Sequence, residues 1–315
     1  MMFLSNYNEA IKNFITEKRI CGYKYITDEN ELKRFDSFLY LNNINIINKS
    51  VIDLWVELHP NWSINSKARS INTIREFLRY LNRYHLNNYT IPNNIYKHIT
   101  NSYVPYIFSV EEIKLIFKYA DLYTSKKYLE MKYIVPFIFR LLYGTGIRIG
   151  ECLNIKRNNI DIDSGTIKLT DTKNKTERLI VLSDSLLIYL KQFLNKMNKS
   201  SEYLFYNNKE NKLSISNIET IFKKLLMQAH INNGENLPRI HDLRFTFIVH
   251  SFRKYCSTGK DPMAFLPILQ NYVGHKSIKS LEYYLKTTNI DLENALKISE
   301  REFGSLIPTI GNKYE

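Results

Sequence analysis

The sequence predicts a mainly α-helical protein with one small antiparallel β-sheet, in which an all-helical first part precedes a mixed α+β second part. Three observations predict this fold class. Apolar residues recur at helical spacing over residues 1–95. Strand-like alternation of apolar and polar residues is confined to residues 159–183, and helical periodicity returns from residue 184. With 315 residues, the chain is long enough for two domains of ordinary size.

The first part contains four predicted helices. Their ranges are 7–20, 29–43, 50–59 and 66–85. In the fourth helix the apolar side chains share one face, and arginines spaced four residues apart form a basic row on another face. The basic residues of this helix that we single out are Lys67, Arg69, Arg75, Arg79 and Arg83. Such a row is either a solvated helix face or a contact for the phosphate backbone of DNA, and we expect DNA contact.

A linker is predicted after the helical part. Residues 86–108 are rich in asparagine, contain two prolines and show no sustained periodicity. Ser109 and Glu112 then have the spacing of a capping box, which marks the start of a helix. The predicted organisation is a helical DNA-binding domain over 1–95, a linker over 96–108 and a second domain over 109–315.

The second domain is predicted to place helices around one sheet. The helices are expected over 110–119, 129–143, from about 147, and over 184–197, 214–230, 242–257, 262–272 and 278–303. Two or three short antiparallel strands are expected within 159–183. The terminal helix, over about 289–303, has an apolar face that can pack either on its own chain or on a neighbouring protomer.

The chain has a surplus of basic residues. Lys and Arg number 44 against 31 acidic residues, a formal net charge of +13. This surplus favours a polyanionic partner, because cations that meet phosphates release counterions, although a generally basic protein is the alternative. The three cysteines are far apart, which argues against a zinc site or a disulfide framework. With no apolar membrane span and no secretory signal pattern, we expect a soluble cytoplasmic protein.

Four short stretches hold candidate functional residues. They are 144-GTGIRIGE-151 with Arg148 and Glu151, the hairpin turn with Lys173, 241-HDLR-244 with His241 and Arg244, and 271-NYVGHKSIKSLEYYL-285 with His275, Tyr283 and Tyr284. Glu151 lies three residues after Arg148, so its carboxylate can orient the guanidinium. His241 and Arg244 also point the same way, which suits an oxyanion. Taken singly, each pattern is more often structural than functional.

In this order the four stretches resemble the tyrosine recombinase (integrase) family. The matching segments are TGIRIGE, TKNKTERLIVL, HDLRFTF and VGHKSIKSLEYY, and the resemblance covers residues 105–290 well but the first domain only loosely. The resemblance implies that Arg148, His241, Arg244 and His275 surround the scissile phosphate, with Lys173 as the acid and Tyr284 as the nucleophile. Tyr284 is preferred over Tyr283 because the nucleophile of the family usually falls nine residues after the histidine of the Gly-His pair.

Three departures from the family pattern stand outside the proposed catalytic groups. Phe245 occupies the place of a second histidine found in many members, Ile149-Gly150 replaces a commoner aliphatic-Ser pair, and Val273 replaces leucine before the Gly-His pair. The proline within 265-FLPILQNYVGH-275 is more similar to the recombinases of transposons than to chromosome-dimer resolvases. A recombinase of a mobile element is therefore expected.

The implied activity is site-specific recombination of double-stranded DNA without a metal or other cofactor. Two arginines with histidine donors can stabilise the negative charge that builds at phosphorus. A phenol, with an ordinary pKa of about 10, can attack and later leave, so a 3′-phosphotyrosyl intermediate can pass its bond to a new strand. The resemblance implies four protomers on two DNA sites. The alternatives are type IB topoisomerase-like relaxation, which a partner site would not stimulate, and a non-catalytic architectural DNA-binding protein.

Overall fold

The computed structural model describes residues 3–97, 104–170, 177–197, 201–232 and 237–274. The chain divides into two compact units, Met1–Ser102 and Tyr103–Glu315. The described residues are mainly helical, and the second unit contains a three-stranded antiparallel sheet, which confirms the predicted fold class. Within these ranges, no helix is both long enough and apolar enough to cross a membrane.

The first unit is built from helices packed around an aromatic core. The helices are α1 (Asn8–Ile20), α2 (Ile26–Leu41), α3 (Lys49–Glu57) and α4 (Ile64–Arg83). Phe14, Phe35 and Phe77, from three of these helices, are buried at the centre of the core. Trp55 of α3 is also buried, and its indole N–H donates to Ser70 Oγ on α4 at 3.0 Å. Because a buried indole needs such an acceptor, this bond fixes α3 against α4.

The second unit alternates helices with one small sheet. Its elements are α5 (Val110–Asp121), α6 (Met131–Thr145), α7 (Ile149–Leu153), a short 3₁₀ turn (Arg157–Asn159), β1 (Ile160–Asp161), β2 (Thr166–Leu169), β3 (Arg178–Val181), α8 (Asp184–Lys196), α9 (Ile215–Gln228), α10 (Asp242–Cys256) and α11 (Pro262–Val273). The predicted capping box is present at α5. Ser109 Oγ accepts from the Glu112 N–H at 3.1 Å, and Glu112 Oε2 accepts from the Ser109 N–H at 2.7 Å.

The sheet contributes one apolar face to the core of this unit. Its strands run in the order β1-β2-β3, and Ile167 of β2 pairs with Ile160 on one side and Ile180 on the other. Ile167, Leu169 and Ile180 are buried, and the alternate residues of β2 and β3 are more exposed. This alternation agrees with the period of two that predicted the strands.

A left-handed turn at the end of α6 leads directly into the candidate site. Helix α6 is buried along most of its length and is followed by Gly146, which caps the helix with φ 63°. A β-carbon at this position would collide with the ring of Phe247, so the turn requires glycine. After this turn the chain reaches Arg148, the partly exposed residue that precedes α7.

One predicted element lies outside the described residues. This is the helix expected over 278–303, including its terminal part over 289–303.

Candidate active site

Arg148 is held at the start of α7 by Glu151. Its backbone N–H donates to Glu151 Oε2 at 3.0 Å, and its Nη1 donates to Glu151 Oε1 at 2.8 Å. Its Nη2 donates to the carbonyl oxygen of Gly274 at 3.3 Å. The side chain remains 25% exposed, so it can be reached from solvent. One carboxylate therefore sets both the backbone and the side chain of this arginine.

Arg244 lies on the first turn of α10 and is buried, with 2% of its surface exposed. Its Nη1 donates to the carbonyl oxygen of Gly146, and its Nη2 donates to that of Val273, both at 2.6 Å. Hydrogen bonds from a charged donor are stronger than neutral ones, and burial strengthens them further. Arg244 thus connects the turn before Arg148 to the end of α11.

His241 stands immediately before α10, on the same turn as Arg244. Its ring meets Phe245 edge-on, with ring centroids 4.8 Å apart and an interplanar angle of 85°. Burial lowers the pKa of His241 to about 4, and the cationic side chains of Arg244 and Arg148 add to this effect. The imidazole is therefore neutral at pH 7, with one nitrogen able to donate a hydrogen bond and the other able to accept one.

Glu151 is a buried carboxylate shared by two arginines. Besides the bond from Arg148, it accepts from Arg178 Nη2 at Oε2 (2.7 Å) and from Arg178 Nη1 at Oε1 (3.2 Å). Burial alone would raise the pKa of Glu151, but the bonds from Arg178 and Arg148 lower it to about 2. The carboxylate therefore remains charged at any working pH, and the three side chains together carry one net positive charge.

Arg178 is a member of this cluster that our sequence reasoning missed. It is the first residue of β3, and only 12% of its side chain is exposed. A signal was present in the sequence. Arg178 has the same parity along the strand as Ile180 and Leu182, which are both buried, so strand alternation directs all three to the same face.

The end of α11 receives contacts from three arginines. Arg148 and Arg244 donate to the carbonyl groups of Gly274 and Val273, and Arg178 packs so closely that a β-carbon on Gly274 would lie 3.1 Å from its Nη1. Gly274 has φ 69°, a left-handed conformation that caps the helix. The next residue in the chain is His275, so the arginine cluster lies where the Gly-His pair begins.

The end of α11 is also tied to the sheet. The hydroxyl of Tyr272 donates to the carbonyl oxygen of Val181 on β3 at 3.2 Å. Burial raises the pKa of Tyr272 to about 12, so this phenol stays protonated and keeps its role as a donor.

The structure brings together Arg148, Glu151, His241 and Arg244, four of the residues that the sequence singled out. The other three candidates of the second domain, Lys173, His275 and Tyr284, lie outside the described residues, and their roles stay predictions. Phe245, which replaces a second histidine of the family pattern, packs beside His241 as an apolar neighbour.

The predicted basic row on α4 requires one correction. Arg75 is not on an exposed face, since it is only 7% exposed. Its Nε donates to the carbonyl oxygen of Ile91 at 3.2 Å, and its Nη2 donates to those of Pro92 at 3.2 Å and Ile95 at 2.9 Å. The chain that follows α4 folds back over this arginine, so Arg75 serves the packing of the first unit.

The other basic residues of α4 are on or near the surface. Arg79 pairs with Glu76 at 2.7 Å, and Arg83 pairs with Glu17 at 2.8 Å, with about half of each arginine side chain exposed. Lys67 is half-buried and Arg69 is exposed. Arg69 lines an open cleft of about 720 Å³ together with Asn72, Asn93 and Lys97, among others. These polar and basic side chains form a surface that a phosphate backbone can meet.

This chain is similar in sequence to a known protein family and to known proteins. Residues 107–289 match the profile of the phage integrase family. Tyrosine recombinase XerC of Oceanobacillus iheyensis is 29% identical over 294 residues, which cover 89% of this chain and 90% of that protein. The probable integrase/recombinase of Acholeplasma phage L2 is 30% identical over 251 residues, 77% of this chain and 76% of that protein.

A solved structure shares the fold. The Tn1549 transposon integrase in complex with a circular intermediate DNA superposes with a TM-score of 0.63 at 13% identity, over 91% of this chain and 98% of that one.

Proposed function

The chain belongs to the phage integrase family, and we propose that Tyr284 cuts DNA by forming a covalent bond to the 3′-phosphate of the broken strand. The protein is a tyrosine-type site-specific recombinase, an enzyme that breaks and rejoins DNA strands. The observation that supports this chemistry most directly is that Arg148 and Arg244 both bond the end of α11, at Gly274 and Val273, just before His275 in the sequence. The two arginines come from different helices and would hold one phosphate between them.

The arginines would stabilise the charge that develops during attack. A phosphodiester carries one negative charge, and attack by a phenol oxygen places more charge on the non-bridging oxygens. Guanidinium groups stay charged at working pH and present two parallel donors to such oxygens. Nη2 of Arg148 and both terminal nitrogens of Arg244 donate to carbonyl oxygens in the free protein, and charged phosphate oxygens are stronger acceptors than carbonyls. His241, neutral at pH 7, would add a further donor.

Two proton transfers complete the proposed step. The hydroxyl of Tyr284 would pass its proton to the neutral imidazole of His241 or to water as its oxygen attacks phosphorus, and Lys173 would give a proton to the departing 5′-oxygen. The bond between phosphorus and the 5′-oxygen breaks as the bond to Tyr284 forms. Attack by the 5′-hydroxyl of another strand reverses these events, so no external energy source is required.

We also infer the roles of the two domains and the assembly in which the enzyme acts. We assign DNA binding to the helical domain over 1–95, catalysis to the domain over 109–315, and the connection to residues 96–108. Lys67, Arg69, Arg79 and Arg83 would contact the DNA backbone through their positive charge. Four protomers would act on two DNA sites in the cytoplasm, to integrate, excise or resolve a mobile element.

The decisive experiment is covalent capture on a nicked duplex. Wild-type protein first selects its site from a randomised duplex pool, and the captured DNA is sequenced to design a nicked substrate whose short cut product diffuses away. Wild type and the matched control Tyr283→Phe are expected to form a denaturation-resistant protein–DNA adduct. Tyr284→Phe is expected to form none, and an adduct from this variant would reject the assignment.

A further inference from the structure

Arg178 differs from the other arginines of the site in what it bonds. Both of its terminal nitrogens donate to the two oxygens of Glu151, at 3.2 and 2.7 Å. Arg148 makes a single side-chain bond to the same carboxylate, at 2.8 Å, and directs its second nitrogen to Gly274. The two-pronged geometry makes Arg178 the principal partner of Glu151, because a planar guanidinium matches a carboxylate best through two parallel bonds.

This division matters because one buried carboxylate faces two guanidinium groups. A carboxylate that is fully paired with Arg178 attracts Arg148 less strongly than an unpaired one would. The guanidinium of Arg148 is then oriented by Glu151 while a quarter of its side chain stays exposed. If Arg178 were absent, Glu151 would be free to take both nitrogens of Arg148 and to draw its charge away from an incoming phosphate.

Arg178 is also close to two segments that carry proposed catalytic residues. It begins β3, five residues after Lys173, and it packs against Gly274, the residue before His275. Its inward direction follows from strand parity with Ile180, so the sheet itself supplies the geometry.

We propose that Arg178 is a positioning residue for DNA cleavage, which neutralises Glu151 so that Arg148 keeps its donors and charge for the scissile phosphate. This inference rests on the proposed function. It assigns no direct contact between Arg178 and DNA. The expected consequence is that Arg178 affects the rate of cleavage far more than it affects the affinity for DNA.

The test measures single-turnover cleavage of the nicked duplex selected by wild-type protein, at saturating enzyme, together with the Kd for the same duplex. Arg178→Ala is expected to cleave ~10- to 100-fold more slowly, since misplacement of a catalytic group by about an ångström has effects of this size. Its Kd is expected to stay within about twofold of wild type. Arg178→Lys keeps the charge but cannot bridge both oxygens of Glu151. Its cleavage rate is expected to lie between those of wild type and Arg178→Ala.

A double variant separates positioning from a general structural role. Adding Glu151→Gln to Arg178→Ala removes the carboxylate that would otherwise capture Arg148, so the double variant is expected to cleave several-fold faster than Arg178→Ala alone. A merely structural role predicts the opposite, because the second substitution would remove further contacts. A double variant that is no faster than the single one overturns the proposal.

Arg140→Ala is the matched control, because Arg140 makes an equally two-pronged pair with Asp121, at 2.8 and 2.8 Å, in the same unit. It is expected to cleave within about twofold of wild type. If wild type and Arg140→Ala both form no adduct, the proposed function fails. If both form it and Arg178→Ala matches their rate, only the role of Arg178 fails. Should Arg178→Ala melt below the assay temperature, Arg178→Lys carries the test, and a wild-type rate in that variant overturns the proposal.

Discussion

Each unit contains a buried arginine that donates to backbone carbonyl oxygens, but the two arginines have different roles. In the first unit, Arg75 is buried and bonds three carbonyl oxygens of residues 91–95. In the second unit, Arg244 is also buried and bonds the carbonyl oxygens of Gly146 and Val273. The two arginines differ in their neighbours. Arg244 lies near Arg148 and His241, whereas Arg75 holds the segment after α4 against its own domain. Burial of an arginine is thus no sign of function until its neighbours are known.

The largest expected effect is on catalysis, from Arg244→Ala. This change removes a proposed phosphate donor, and loss of one such donor lowers the rate of the chemical step by ~10²- to 10³-fold. Single-turnover adduct formation on the nicked duplex measures it. Arg75→Ala, assayed where it remains folded, is the comparison and is expected to cleave near the wild-type rate. Equal loss in the two variants would erase the distinction between the two arginines.

The second prediction concerns the stability of the first unit, which Arg75→Ala is expected to lower. Arg75→Ala leaves three carbonyl groups without their charged donor, so the free energy of unfolding should fall by about 2–3 kcal/mol. Both tryptophans, Trp55 and Trp62, lie in this unit, so urea unfolding followed by tryptophan fluorescence reports on it. The control Arg79→Ala removes only exposed bonds, to Glu76 and to Asn93, and should change stability by less than about 1 kcal/mol. Similar losses in both variants would contradict the structural role of Arg75.

A smaller effect should appear in the pH dependence of the second unit. The pKa of His241 is about 4 in the folded protein, below the ordinary value of 6.5, so the unfolded chain binds a proton first as the pH falls. Stability is therefore complete above about pH 6.5 and declines towards pH 4, by on the order of 1–2 kcal/mol between pH 7 and pH 5. Thermal unfolding of wild type and His241→Gln at both pH values tests this.

The control for the pH experiment is His85→Gln, which changes an exposed histidine of the first unit. The His241→Gln variant should lose less stability on acidification than either wild type or this control. A pH dependence that is unchanged in His241→Gln would show that another group is responsible.

The smallest expected effect concerns DNA affinity. Arg79→Ala removes one exposed cation, so the slope of log affinity against log salt should fall by about 1, and affinity should drop only a few-fold. Fluorescence anisotropy with a labelled non-specific duplex, between about 50 and 200 mM salt, measures the slope. Arg75→Ala should leave the slope unchanged, because Arg75 already donates to carbonyl groups. A reduced slope in that variant would place Arg75 on the DNA.

The helices were predictable because each carries an apolar face at helical spacing, as α4 does with Ile71, Ile74 and Leu78, all fully buried. The pairing of Arg148 with Glu151 was predictable for a similar reason, since both belong to one helical turn. The placement of Arg75 was not, because helical spacing shows which residues share a face but not which later segment returns to cover that face.

Arg178 escaped prediction because a charged residue beside a hairpin turn is usually solvated. Strand parity gives its inward direction, but its buried partner Glu151 lies 27 residues earlier in the chain, and no local pattern reveals that pairing. The convergence of Arg148 and Arg244 on the end of α11 likewise depends on contacts to Gly274 and Val273 across 126 and 29 residues, which no local pattern encodes. The ordered series of motifs identified the family without any of these distances.

The three carbonyl bonds of Arg75 also determine where the first unit can be separated from the rest of the chain. A fragment that ends with α4, near residue 85, would strand this guanidinium in the interior and strip away the cover that Ile91 provides. A fragment that ends at residue 97 keeps all three acceptors, at Ile91, Pro92 and Ile95. The segment that looks like linker by composition is therefore, over its first half, the last structural layer of the domain before it.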